Sequence, residues 1–263
     1  MSVSISLIIT TYNWKEALEL SLNSGLRQTR KPVEIIVADD GSRRDTAEMI
    51  AGIAAETSVP VIHSWQEDKG FRLSASRNKA LAKTTGDYIV LIDGDIIMEQ
   101  HFIADHAQFA QDGCFVQGTR VLLRENLSRE VLATKRMPKT LCKESIENRK
   151  NCLRSAFLSR LVSFKNRGMG GVRTCNFAFW RRDAIAVNGF NEDFTGWGRE
   201  DSEFTARLLN YGLMRRDVKF NALAYHLYHP RNDRSHLAEN DRLLQETIEQ
   251  KRTWCTRGVN AYL

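Results

Sequence analysis

Four short apolar runs lie within the first hundred residues: "SISLIIT" (4–10), "EIIVADD" (34–40), "VPVIHS" (59–64) and "YIVLID" (88–93). They alternate with segments 14–29, 45–56 and 72–84, whose apolar residues recur at helical spacing. Strands that are apolar at consecutive positions are covered on both faces, and a repeated strand–helix–strand unit achieves this through right-handed crossovers. The expected fold class is α/β, a Rossmann-like and mostly parallel sheet with helices on both faces. Ligands of such sheets sit beyond the carboxyl ends of the strands. Those ends read "TTYN" (10–13), "DDGS" (39–42) and "DGD" (93–95), so hydroxyls, an amide and carboxylates converge on one edge.

Beyond residue 98 the pattern is less regular. "CFVQGTRVLL" (114–123) and "TCNFAFW" (174–180) read as strands, and 128–166 reads as helices or loops. "REDSEFTARLLNYG" (199–212) has helical spacing and a glycine stop. A chain of 263 residues without repeats or a Pro-rich linker is expected to form one body. Its halves are 1–97 and 98–230, followed by a helical extension over 231–263.

The composition, 42% hydrophobic and 27% charged, is that of a globular protein. No run approaches the ~20 apolar residues of a membrane span, and the N-terminal run is too short for a signal segment, so neither export nor a bilayer anchor is expected. Five cysteines without a CxxC spacing read as free thiols in a reducing cytosol. The net charge of +6 is uneven: 135–182 holds 13 Lys or Arg against Glu144 and Glu147. That segment points to an anionic partner.

Asp93 and Asp95, separated by a turn-permitting glycine at a strand end, offer hard oxygen ligands for Mg²⁺ or Mn²⁺ together with substrate phosphates. An Asp-Gly turn in solvent has the same sequence. In "GFNEDFTGWGREDSEF" (189–204), Gly196 and Trp197 present an aromatic face before Glu200 and Asp201. Carboxylates in a first helical turn complement the helix dipole, yet a carboxylate beside an indole also binds and deprotonates a sugar hydroxyl. His226 and His229 in "AYHLYHPRND" are either surface histidines or metal ligands. Arg72 and Arg77, entering a helix at the same sheet edge, are either exposed helix charges or bidentate partners for phosphate.

In this order the motifs resemble the inverting glycosyltransferases of family 2, which have the GT-A fold. "SLIITTYN" is similar to that family's opening strand, "EIIVADDGS" to its nucleotide-binding strand, "SASRNKALAKTTGDYIVLIDGD" to the stretch leading to its DxD motif, and "GWGREDSEF" to its acceptor-side ED motif. Residues 171–229 resemble the C-terminal half of β-galactosyltransferases and of chondroitin-type polymerases. The resemblance implies a UDP-sugar donor and a Mn²⁺ or Mg²⁺ cofactor. It places Thr10, Tyr12 and Asp40 at the nucleoside, Arg72 and Arg77 near the diphosphate, Asp93 at the ribose or a metal-bound water, and Asp95 on the ion. His229, with His226 close behind, is implied as a further ligand. Asp201 becomes the general base, with Glu200, Trp197 and Gly196 positioning the acceptor.

The resulting expectation is a cytoplasmic hexosyltransferase that extends a bacterial cell-surface glycan such as lipopolysaccharide or capsule, with galactose or N-acetylgalactosamine as the favoured sugar. The acceptor is a glycan or glycolipid. Apolar residues interleaved with the cations of 135–167 suit peripheral contact with the anionic inner face of the membrane, or a phosphorylated lipid glycan, as well as a solvated helical face. No nucleic-acid motif is present, so no nucleic-acid partner is expected. The rival functions are a sugar nucleotidyltransferase and a non-catalytic glycan-binding module. The first needs a glycine-rich, lysine-bearing loop after the opening strand, which "TTYNWKEAL" lacks; retention of both DGD and ED weighs against the second.

Overall fold

Residues 5–11 are buried at every position, and the chain builds outward from this strand in both directions. The computed structural model describes residues 3–138, 143–230 and 233–263. Its first half runs β1 (Ile5–Thr11), α1 (Lys15–Leu26), β2 (Glu34–Asp39), α2 (Arg44–Ala55), β3 (Val61–Trp65), α3 (Leu73–Lys83) and β4 (Tyr88–Asp93). There follow β5 (Ile96–Met98), α4 (Phe102–Phe109), β6 (Cys114–Gln117), β7 (Val121–Leu123), α5 (Glu125–Thr134), β8 (Ile146–Glu147), α6 (Ala156–Val162) and β9 (Phe164–Asn166). The remainder is β10 (Phe177–Trp180), α7 (Arg181–Ala186), α8 (Glu200–Asn210), β11 (Met214–Asp217), β12 (Ala224–His226) and α9 (Leu237–Glu249).

Eight strands form one sheet in the order β3-β2-β1-β4-β10-β6-β11-β9. Neighbours from β3 to β4 are parallel, as are β6 and β11, whereas β10 runs antiparallel to both β4 and β6. Alternate residues of the central strands feed opposite cores. Leu7, Ile9, Val90 and Ile92 pack with Leu18, Leu22 and Phe102, while Ile8, Ile89 and Leu91 pack with Leu81, Phe190 and Phe204. The register aligns Thr10 with Asp93 and Thr11 with Asp39, which brings the three polar strand ends level.

The expected single strand over 114–123 is two strands in two sheets. β6 belongs to the large sheet; β7 joins a four-stranded sheet in the order β5-β12-β7-β8. The break falls at Gly118, whose N–H donates to the Asn176 carbonyl at 2.9 Å. A Cβ at Gly118 would stand 2.3 Å from the Asn176 carboxamide. That carboxamide donates to the carbonyls of Thr119 (2.7 Å) and Ala222 (2.9 Å) and accepts from His106 Nε2 at 2.9 Å. Asn176 itself sits in a 3₁₀ turn over Thr174–Asn176, so the strand expected over 174–180 begins at Phe177.

Cys114, Cys152, Cys175 and Cys255 are free thiols, and Cys142 lies outside the described residues. Among the described residues no helix is long and apolar enough to cross a membrane.

Candidate active site

A cleft of about 1550 Å³ opens at the carboxyl ends of β1 and β4 and extends to the loop before α8 and the segment after β12. It exceeds the ~300–1,000 Å³ of a typical small-ligand pocket, so it has room for two substrates.

At the first strand end, Thr10 donates to Asp93 Oδ1 at 3.0 Å. Tyr12 is half exposed at the rim and donates to Asp68 Oδ2 at 2.9 Å. Asp40 is buried, accepting from Gln66 Nε2 and, at 2.7 Å, from the Arg72 N–H. Burial raises its carboxyl above the usual range. The Arg72 guanidinium donates to the Glu67 carbonyl.

Gly94 is required by a close approach, since a Cβ there would lie 2.7 Å from the Thr10 carbonyl oxygen. The chain therefore turns tightly behind Asp93 and sends Asp95 inward. β12 pairs with β5 in a register that sets His226 opposite Ile96, next to Asp95, and the Leu227 N–H donates to the Asp95 carbonyl at 3.0 Å. As a result Asp95 Oδ2 stands 3.6 Å from His226 Nε2 and 3.4 Å from His229 Nε2.

One ligand atom from each of these three residues lies within 4.8 Å of the other two. Asp95 Oδ1 is buried without a hydrogen-bond partner. Burial, with the adjacent Asp93 charge, pushes the Asp95 carboxyl up to about 8. Burial, with the Arg120 charge, pushes the His226 imidazole down to about 4, so its ring is neutral near pH 7. His229 Nδ1 donates to the Pro230 carbonyl at 2.7 Å, which orients the ring with Nε2 toward Asp95. A buried carboxylate with one unpartnered oxygen and two imidazole nitrogens facing the other is a donor set that a divalent cation completes.

On the facing side, the loop before α8 carries three left-handed residues, Gly196 (φ 69°), Gly198 (φ 107°) and Arg199 (φ 77°). A Cβ on Gly196 would collide with the His236 ring at 2.6 Å. The loop presents Trp197, over which the Arg234 guanidinium stacks 5.3 Å from the ring centroid. Helix α8 then begins with Glu200 and Asp201. Glu200 is buried, and its Oε2 has no partner. Burial, then the Asp201 charge, raises its carboxyl to about 7, with Arg77 opposing. Asp201 Oδ1 accepts from the Ser202 N–H at 2.7 Å. Burial raises the Asp201 carboxyl, again against the pull of Arg77.

Arg77 connects the two sides. It is 1% exposed, lies 3.3 Å from Asp93 Oδ1 and 3.5 Å from Glu200 Oε1, and donates to Thr174 Oγ1 at 2.8 Å. The helix-entry reading of this residue as an exposed charge does not hold: the guanidinium sits inside, 5.1 Å from the Phe190 ring centroid. One cleft residue that escaped the sequence reading is Arg120. Arg120, in the β6–β7 connection, donates to the buried Cys175 thiol at 3.1 Å. It follows no strand-end or helix-entry pattern, so nothing in the local sequence marked it.

The family described as "Glycosyl transferase family 2" matches residues 6–183. The chain belongs to glycosyltransferase family 2. A second description, "N-terminal domain of galactosyltransferase", matches residues 160–230, which include the ED helix and His226 and His229. Among its relatives, the chondroitin synthase of Escherichia coli is 26% identical over 268 residues, covering 94% of this chain and 38% of that protein. The hyaluronan synthase of Pasteurella multocida is 27% identical over 242 residues, 85% of this chain and 24% of that protein. The chain thus spans about a quarter to two fifths of the length of these curated relatives. Among solved structures, S. aureus TarS 1–349 in complex with UDP superposes with a TM-score of 0.63 at 17% identity, covering 94% of this chain and 65% of that one. The family 2 chain therefore has the GT-A glycosyltransferase fold.

Proposed function

We propose that the chain transfers a hexose, galactose or N-acetylgalactosamine in the favoured case, from a UDP-sugar to a hydroxyl of a cell-surface glycan such as lipopolysaccharide or capsule. The observation that carries this reading is one cleft holding the Asp95–His226–His229 cluster on one side and the Glu200–Asp201 pair on the other, with Arg77 between. Residues 1–97 supply the donor side and 98–230 the acceptor side; 231–263 is the helical extension. The protein acts on the cytoplasmic side of the membrane.

Thr10, Tyr12 and Asp40 line the end of the cleft assigned to the nucleoside, and Arg72 stands beside them for the diphosphate. Asp95, His226 and His229 hold the divalent ion; two imidazoles favour Mn²⁺ over the oxygen-preferring Mg²⁺. When bound, the ion neutralises charge on the departing diphosphate. Asp201 takes the proton from the acceptor hydroxyl as that oxygen attacks the anomeric carbon. Trp197 and Gly196 present a flat face to the acceptor ring, and Glu200 holds it in register. Attack opposite the leaving group inverts the anomeric centre, so an α-linked donor yields a β-linked product.

The reading is tested by thermal-shift titration of UDP against Mn²⁺, Mg²⁺ and no ion, followed by a donor screen. Stabilisation by UDP that needs the ion, and turnover of at least one UDP-hexose, is the expected result. A protein that neither binds UDP nor hydrolyses or transfers any UDP-sugar with Mn²⁺ present is not this enzyme.

A further inference from the structure

From Arg149 to Arg182 the chain carries nine Lys or Arg and no Asp or Glu. Within this stretch, helix α6 is pinned on one side only. Ser155 Oγ accepts the Leu158 N–H at 3.3 Å, the Ser155 N–H donates to the Phe220 carbonyl at 2.8 Å, and Ser159 is buried. Away from that side, Phe157 (72% exposed) and Leu161 (67% exposed) stand one turn apart. Leu153, Val162 and, on β9, Phe164 are exposed beside them. Single exposed apolar residues are ordinary on a protein surface, but five large ones within residues 153–164 form a patch that calls for a partner.

The charges around the patch are free. Arg149, Lys150, Arg160 and Lys165 are exposed and make no ion pair among the described residues. Lys219 holds its ammonium 5.7 Å from the Phe164 ring centroid. Elsewhere in the same basic stretch Arg154 pairs with Asp105 and Arg182 with Asp112, both at 2.6 Å. Four cations without an ion pair among the described residues thus lie beside the outward-facing apolar side chains.

We propose that α6 and β9 form a docking surface for a bilayer rich in anionic lipid. Phe157, Leu161 and Phe164 enter the boundary between headgroups and acyl chains, and Arg149, Lys150, Arg160 and Lys165 meet the headgroups. Charge complementarity selects this occupant over a second copy of the chain, because a two-fold contact through the patch sets the same cations against one another. β9 is also an edge strand, and Lys165 on it discourages edge-to-edge pairing with another copy. The chain leaves β9 directly for residues 169–174, which line the cleft, so docking turns the acceptor side toward the lipid surface. That orientation rests on the transfer reading above, whereas the docking itself does not.

The test is flotation of the full chain with vesicles of phosphatidylcholine alone and of phosphatidylcholine with phosphatidylglycerol, beside analytical ultracentrifugation of the free protein. The native protein floats with the anionic vesicles and is released by high salt. The variants Phe157→Ser/Leu161→Ser/Phe164→Ser and Arg160→Glu/Lys165→Glu lose at least roughly tenfold in partitioning while keeping the native Tm and UDP binding. The surface is not a lipid site if the native protein ignores anionic vesicles, binds neutral ones equally well, or floats undiminished in both variants. A native dimer that the serine variant converts to a monomer overturns it in favour of self-association.

Discussion

The Arg77 guanidinium stands 3.5 Å from the Glu200 carboxylate, joining α3 to α8, and reaches Asp93 with its other nitrogen at 3.3 Å. One buried cation thus holds together carboxylates from both sides of the cleft. Removing one partner of a buried ionic cluster leaves the others uncompensated, which costs about 3–5 kcal/mol. Arg77→Met should lower the unfolding free energy, read from urea denaturation, by that order, and Arg77→Met/Glu200→Gln should recover part of the loss. A single variant as stable as the native protein would show that Arg77 is not the tie described here.

His226 and His229 both face Asp95 Oδ2, at 3.6 and 3.4 Å. If they share an ion with it, His226→Ala and His229→Ala should each weaken Mn²⁺ binding on the order of 10–100-fold or more, read by titration calorimetry. Asp95→Ala should abolish both Mn²⁺ binding and the ion-dependent part of UDP binding. Unchanged affinity in both histidine variants removes them from the ligand set.

Asp201 must be ionised to accept a proton, and burial raises its carboxyl above the usual aspartate range. As pH falls through that raised value the base is lost, so the acid limb of kcat/KM should lie above that of an ordinary aspartate. Asp201→Asn should lower kcat by roughly 10²–10⁴ with the donor KM little changed. An Asp201→Asn enzyme with native kcat would move the proton-accepting role elsewhere.

His106 is fully buried beside Asn176, and burial pushes its imidazole from 6.5 down to about 4. The folded state keeps this ring neutral while the unfolded chain takes up a proton below pH 6.5. Its contribution is therefore present above 6.5 and is lost as pH falls through 4, on the order of 3 kcal/mol. Unfolding free energy followed over that window should fall less steeply in His106→Gln than in the native protein. Parallel slopes would mean that another group dominates the acid transition.

The first four strands and three helices were legible because their information is local. Consecutive apolar residues in "SLII", "EIIVA" and "YIVLI" demand cover on both faces, and the helical spacing between them supplies it. The rule that ligands lie beyond parallel strand ends then pointed to Thr10, Asp40, Asp93 and Asp95, all of which line the cleft. The Gly-Trp-Gly loop and ED helix were legible for a similar reason, since glycine and a polar cap mark a helix start without distant help.

The sequence by itself determined the parallel core, the polar strand ends and the carboxylates at the end of β4 and the start of α8. Tertiary structure alone decided the split at Gly118, because the Asn176 carboxamide that interrupts the strand is contributed by a residue far along the chain. It also decided that β12 pairs with β5 in the register that brings His226 and His229 to Asp95, and that Arg77 is buried between Asp93 and Glu200 instead of lying on a helix surface. Each of these outcomes depends on contacts between segments distant in sequence, where neither periodicity nor residue type specifies the partner.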